Sequence, residues 1–267
     1  MTKIAAITDI HGNLPALQAV LKDIDDEGVD LIVNCGDTLG GPLESAKTAD
    51  LLMSRGIPMI AGNHERQLLT LPHASLNRSD ASTAAEIDWR HRAWLAAAPP
   101  TMWLADDVFI CHGTPSSDLD YWLETVTSDF GHNGSVGVRP ASMAEISERM
   151  GDGEHRRRAS LIICGHTHVP RVVQMPALLN GDGPKHGITI VNAGSVGLQG
   201  YDDEHPHKHW IEVGSPHARY ALMRRQNMGW QVQLRSVPYD FEPMAQLALR
   251  RGREDWARPL RSGRIGS

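Results

Sequence analysis

The sequence predicts an α/β fold, and two observations carry that prediction. Short strand-like apolar runs alternate with helix-spaced ones through the first half of the chain, and those apolar runs stop at polar clusters. Lys3 to Thr8 reads as a buried strand that ends at Asp9. Leu14, Leu17, Val20, Leu21 and Ile24 then recur at helical spacing, with Pro15 early and Gly28 just past the end. Asp30 to Asn34 is a second strand and stops at Gly36-Asp37. A helix from Ala46 to Arg55 and a strand over residues 57–60 follow, the strand stopping at Gly62-Asn63-His64. This rhythm implies a parallel sheet with right-handed crossovers, in which ligands bind outside the carboxyl ends of the strands.

Residues Ala81 to Ala98 read as one helix, ended by Pro99-Pro100. Val108 to Cys111 is a strand that stops at His112-Gly113-Thr114-Pro115. From Ser116 to Ser160 the periodic signal degrades, apart from a short helix at Met143 to Met150. A stretch of that length between site-bearing strands is either a lid or specificity insert, or a pair of helices that only covers the sheet. Leu161 to Cys164 and Gly187 to Asn192 are further strands. Tyr220 to Arg224 and Trp230 to Val237 form an antiparallel hairpin around Asn227-Met228-Gly229. A helix begins after Phe241, and the arginine-rich end (residues 250–267) is expected as a solvated, flexible tail. One domain over residues 1–267 accommodates all of this.

Bulk composition excludes several function classes. Hydrophobic residues at 41% and charged ones at 22% are ordinary for a soluble globular protein. A net charge of -6 gives no electrostatic reason to expect nucleic acid, and 5% aromatics disfavour a stacking platform. No window reaches the ~18 apolar residues of a membrane span, and the N-terminus turns polar too early for a signal peptide. A cytoplasmic location is therefore expected. Cys35, Cys111 and Cys164 are odd in number and form no CxxC pair, which argues against a disulfide framework. Buried packing beside strand ends is the role expected of them.

The chemistry lies in five segments: Asp9-Ile10-His11-Gly12-Asn13, Gly36-Asp37, Gly62-Asn63-His64-Glu65, His112-Gly113 and Gly165-His166-Thr167-His168. Each is weak alone. Residues two apart on a strand share a face, so His166 and His168 would aim at one point if the strand geometry persists. Asn13 and Thr114 are close enough in sequence to touch phosphate or to support ligands. The loop Asn192 to Gly197 has the glycines of an anion cradle and equally those of a tight turn. His205, His207 and His209 are expected in an exposed loop, and His73, His91 and His155 at the surface.

In this order and spacing, the five segments resemble the calcineurin-like metallophosphoesterase superfamily, whose pattern is DxH, GD, GNH, H and GHxH. The resemblance runs from Lys3 to about Asp240, and the glycine-rich segments at residues 36–42 and 192–197 look like its small bacterial and archaeal phosphodiesterase branch. It implies a four-layer αββα sandwich of two mixed sheets flanked by helices. It also implies two metal ions, with Asp9, His11, Asp37 and His168 holding one and Asp37, Asn63, His112 and His166 the other. His166 and His168 would then serve different ions. Mixed oxygen and imidazole donors suit Mn, Fe or Zn. The implied reaction is hydrolysis of a small phosphate ester by a metal-bridging hydroxide, with His64 as general acid or hydrogen-bond donor. The alternative role for His64 is to orient Asp9 or Asp37.

Two other readings differ in what they require. Protein phosphatases and dinucleoside tetraphosphatases share GNHE but place arginines where this chain has Thr38-Leu39-Gly40-Gly41 and Ala61. A non-catalytic scaffold of the same fold should have lost ligands or the histidine after Asn63, and this chain retains them all.

Overall fold

In the computed structural model, residues 2–177 and 183–266 are described. The first half of the chain runs β1 (Lys3–Ile7), α1 (Leu14–Glu27), β2 (Leu31–Asn34), α2 (Ser45–Arg55), α3 (Asn63–Thr70), α4 (Arg78–Glu86), α5 (Trp89–Ala96), β3 (Met102–Ala105) and β4 (Val108–Ile110). It continues through β5 (Glu124–Val126), β6 (Val138–Pro140), α6 (Met143–Met150), α7 (Glu154–Arg158), β7 (Leu161–Cys164), β8 (Arg171–Met175) and β9 (Ile188–Asn192). The chain then forms β10 (Gly200–Asp203), β11 (His209–Glu212), β12 (Ala218–Gln226), β13 (Gly229–Val237), α8 (Glu242–Arg250) and α9 (Glu254–Ser262).

Two mixed sheets form the centre. A four-stranded sheet has the order β13-β12-β1-β2, with β1 and β2 parallel and β12 and β13 antiparallel. A five-stranded sheet has the order β3-β4-β7-β9-β8, with β4, β7 and β9 parallel and both edges antiparallel. The period-2 alternation of strand side chains builds the layers. Ile4 and Ala6 of β1 pack with Ile110, Ile163 and Val191 between the sheets. Ala5 and Ile7 face the opposite way, onto Leu17, Val20 and Ile24 of α1. On the far side of the second sheet, Ile162 and Ile190 meet Ile146 and Met150 of α6. The layers are thus helix, sheet, sheet, helix.

Several local expectations change. Residues 57–60 contribute only an isolated parallel bridge, Met59 to Asn34, because Pro58 offers a carbonyl to Asn34 but no N–H. The helix expected over Ala81 to Ala98 is two helices, broken where the Asp88 side chain accepts from the N–H groups of Arg90 and His91 and caps α5. His91 is buried rather than at the surface, with its ring between Asp50 and Asp88. His209 is also buried, its ring between the Tyr121 hydroxyl and the His207 carbonyl, while His205 and His207 are exposed.

The largest change is at the C-terminus. Residues expected as a flexible tail form α9, which packs against α8 and buries Trp256, Ala257 and Leu260 in a cluster with Leu43, Leu198 and Met244. Arg258 is exposed, Arg261 pairs with Glu242, and the buried Arg253 just before the helix pairs with Asp255. No helix among the described residues is long and apolar enough to cross a membrane.

Candidate metal centre

The candidate ligands sit in the loops that follow β1, β2, β4 and β7, and at the start of α3. Their backbone is unusual. Asp9, His11, Asp37, His166 and His168 all have φ between 50° and 68°, the left-handed region that non-glycine residues rarely enter. Such strain persists only where the surroundings over-determine it, and it clusters at functional sites. The turn is what redirects these side chains: His166 and His168 leave β7 on left-handed bends rather than along one strand face.

Fixed hydrogen bonds aim the imidazoles. Nδ1 of His11, His112 and His168 lies 3.0, 2.8 and 2.6 Å from the carbonyls of Gly40, Cys35 and Leu198. A carbonyl only accepts, so each Nδ1 carries the proton and each Nε2 is turned inward. His166 is held the other way round, with Nε2 2.9 Å from the Leu119 carbonyl and Nδ1 left free.

The result is two adjoining triads. In one, Asp9, His11 and His168 converge, with His168 Nε2 3.3 Å from Asp9 Oδ1 and 3.1 Å from His11 Nε2. In the other, Asp37, His112 and His166 converge, with His112 Nε2 3.0 Å from Asp37 Oδ2 but not aligned for a hydrogen bond. Asp37 also groups with His11 and His64, so it faces both sides. Asn63 is buried and lines the same cavity as His11, Asp37, His166 and His168.

Three buried atoms here have no hydrogen-bond partner: Asp9 Oδ1, Asn63 Oδ1 and His112 Nε2. A buried carboxylate oxygen left unpaired is costly unless a cation satisfies it. Two oxygens and a nitrogen orphaned together, in a cluster of carboxylates, amide and imidazoles, form a donor set that fits divalent cations. The electrostatics agree for two of the rings; for the third, burial opposes the charge but Asp37 pushes His112 up to about 10, so that ring must give up a proton to take a cation. Burial, reinforced by His168 and His64, pushes His11 down to about 3, and burial with His112 pushes His166 down to about 4, so both rings are neutral with a lone pair to give. Burial opposes ionisation of Asp37, but His112 and His64 hold its carboxyl well below the usual range.

A calcineurin-like phosphoesterase family model matches residues 2–170, which hold all five segments. This chain belongs to that family. The structure of a metallophosphoesterase from Sphaerobacter thermophilus is similar to this phosphoesterase over 98% of its chain and 99% of that one, with 23% identity and a TM-score of 0.68. At that identity the likeness bears on the fold alone. A phosphoesterase from E. coli is similar over 89% of this chain and 100% of its own, at 17% identity and a TM-score of 0.41. An uncharacterised protein of Methanocaldococcus jannaschii is 38% identical over 66 residues, 25% of this chain. That stretch spans 27% of the relative's length.

The rest of the phosphoesterase site comes from residues to which the motifs assign no role. Glu65 accepts from the N–H groups of Asp37, Thr38 and Gly62 at 2.8 to 2.9 Å and so fixes the Asp37 turn against α3. Asp80 Oδ1 is 2.6 Å from His64 Nδ1. Thr167, between the two histidines, donates to Glu124 at 2.6 Å and accepts from Asn192 at 3.0 Å. That pair of bonds ties the residue 116–160 segment to the ligand loop. Trp256 of α9 stands edge-on to His11 at 5.8 Å between ring centroids.

Asn13 caps α1 and donates to the Gly197 carbonyl, a structural task that leaves it no reach toward a ligand. Thr114 bonds within its own turn, to Ser117. The loop Asn192 to Gly197 spends the N–H groups of Gly194, Val196, Gly197 and Leu198 on neighbouring chain, so it acts as a tight turn rather than an anion cradle.

Proposed function

We propose that this phosphoesterase hydrolyses a small phosphate ester at a centre of two divalent ions, Mn, Fe or Zn. Asp9, His11 and His168 would hold one ion and Asn63, His112 and His166 the other, with Asp37 shared. The observation that carries this reading is the set of orphaned buried atoms, Asp9 Oδ1, Asn63 Oδ1 and His112 Nε2, among residues on left-handed turns. Bound there, such ions supply Lewis acidity and a water acidic enough to attack phosphorus near neutral pH.

The chain's own residues do the remaining work. His64 has Nδ1 committed to Asp80, which leaves Nε2 as the atom that meets the cavity. Burial works against its charge, yet Asp37 and Asp80 together push His64 up to about 9. With Asp37 given to the ions, Asp80 is the support that stays with the ring, and a proton on Nε2 can pass to the leaving oxygen of the ester. Asp80 keeps that ring in place and favours the protonated form. The cavity around the centre, about 1230 Å³, exceeds what a phosphate alone needs and leaves room for ester groups on either side.

The test is a panel of nucleotides, cyclic nucleotides, phosphodiesters and phosphomonoesters assayed with added Mn. Turnover that a chelator abolishes is expected. His64→Ala should slow turnover by roughly 10²- to 10⁴-fold while metal stays bound. A protein that hydrolyses nothing on the panel, metal-loaded, would be a scaffold and not a hydrolase.

A further inference from the structure

The cavity is divided by charge. On the side of His64, its wall is built from α4 and the start of α9, locked together by Arg253 donating to Ser79 Oγ and Arg78 donating to the Gly252 carbonyl. The cations on that wall are Arg78 and Arg253. Arg253 is buried and spent on Asp255 at 2.7 Å. Arg78 is exposed to the cavity mouth, and no carboxylate among the described residues lies within ion-pair distance of it. The wall on the side of His166 has the opposite sign. It carries the exposed carboxylates of Asp120, Asp202 and Asp203, and a buried Glu124 that pairs with Arg171, against a single lining arginine, Arg149, whose guanidinium is turned onto the backbone carbonyls of Trp122 and Glu124.

We propose that the substrate carries a second anionic group, a phosphate or carboxylate, on its leaving portion, and that Arg78 recognises it. This rests on the hydrolase reading above, because His64 as proton donor fixes the leaving oxygen on the Arg78 side. An anion on the retained side would face the exposed carboxylates of Asp120, Asp202 and Asp203, and like charges in a cleft repel. An anion on the leaving side meets a guanidinium that spends one N–H on the Gly252 carbonyl and has no carboxylate partner among the described residues, and its remaining N–H groups can donate to a carboxylate or phosphate. The division of charge therefore sets the direction in which the ester lies across the centre, as well as which ester is preferred.

The experiment compares methyl 4-carboxyphenyl phosphate with methyl 4-carbamoylphenyl phosphate, two diesters of the same shape in which the aryl oxygen is the better leaving group. The readout is the ratio of kcat/KM for the anionic over the neutral ester, in wild type and in Arg78→Ala, so that intrinsic reactivity cancels. The ratio should fall about tenfold in Arg78→Ala, the size of one lost charge-assisted contact at a half-open site. Arg78→Lys should keep an intermediate ratio. A ratio unchanged in Arg78→Ala overturns the proposal, even if both rates drop. Calorimetric titration of the two esters into the metal-loaded His64→Ala protein gives the same ratio as affinities, with and without Arg78→Ala. If wild type turns over neither ester, the calorimetric ratio still decides the role of Arg78, and the wider panel decides the hydrolase reading.

Discussion

Asp80 Oδ1 sits 2.6 Å from His64 Nδ1, with Asp80 fully buried behind a histidine that opens onto the cavity. The pair joins α4 to the first residues of α3, sixteen positions apart, and it is held from behind by the Asn77 side chain on Asp80 Oδ2 at 2.8 Å. A ring anchored in this way has one free nitrogen and a bias toward carrying two protons.

Asp80→Asn should therefore lower kcat by about tenfold or more, with a smaller change in KM, because a neutral amide no longer favours the imidazolium. The alkaline limb of the kcat profile should also move to lower pH, since the charged form of His64 loses the support of the Asp80 carboxylate. Bound metal, measured by mass spectrometry, should stay at the wild-type level. A purely structural role for Asp80 would instead lower metal content and activity together.

Trp256→Ala should destabilise the protein by about 3–5 kcal/mol, the usual cost of emptying a buried tryptophan site. Trp256 fills the space beside Gly41, where an added Cβ would lie 2.6 Å from its ring, and it backs the His11 imidazole. Thermal unfolding reads the first effect. Metal affinity should weaken as well, as His11 loses its backing. Trp256→Phe should recover most of the stability.

Glu242 and Arg261 join α8 to α9, and the hydrogen bond from Arg261, with a second from Gln246, lowers the Glu242 carboxyl from 4.5 to about 2. A carboxyl whose pKa is depressed by folding adds stability above its unfolded value and loses it as pH falls through the folded value. The Tm of Glu242→Gln should thus lie below wild type by a constant amount above about pH 5. The gap should narrow steadily as pH falls below 4.5 toward about 2. A gap independent of pH would mean that Glu242 acts through packing instead of charge.

How much of this was legible in the sequence depends on distance along the chain. Asp9, His11, Asp37, His112, His166 and His168 each follow an apolar strand by a few residues, and a strand followed by a polar cluster is a local signal. Asp80, Glu65 and Glu124 carry no such signal, because what makes them matter is a partner 16 to 43 residues away. Only Glu65, next to the GNH triplet, could have been suspected from position. The C-terminal helix was hidden by composition: Trp256, Ala257 and Leu260 share one face, but the arginines around them read as a solvated run. His209 and His91 misled for the reverse reason, as polar neighbours in sequence gave no hint of hydrogen bonds made at depth.

Asp37 is the residue on which the dinuclear reading depends, and metal stoichiometry tests that reading most directly. After reconstitution with Mn and removal of free ions, mass spectrometry should find about two ions per wild-type chain and at most about one in Asp37→Asn, with turnover abolished. Wild-type protein that retains no more than stray metal, or Asp37→Asn that keeps both ions and full activity, would contradict it.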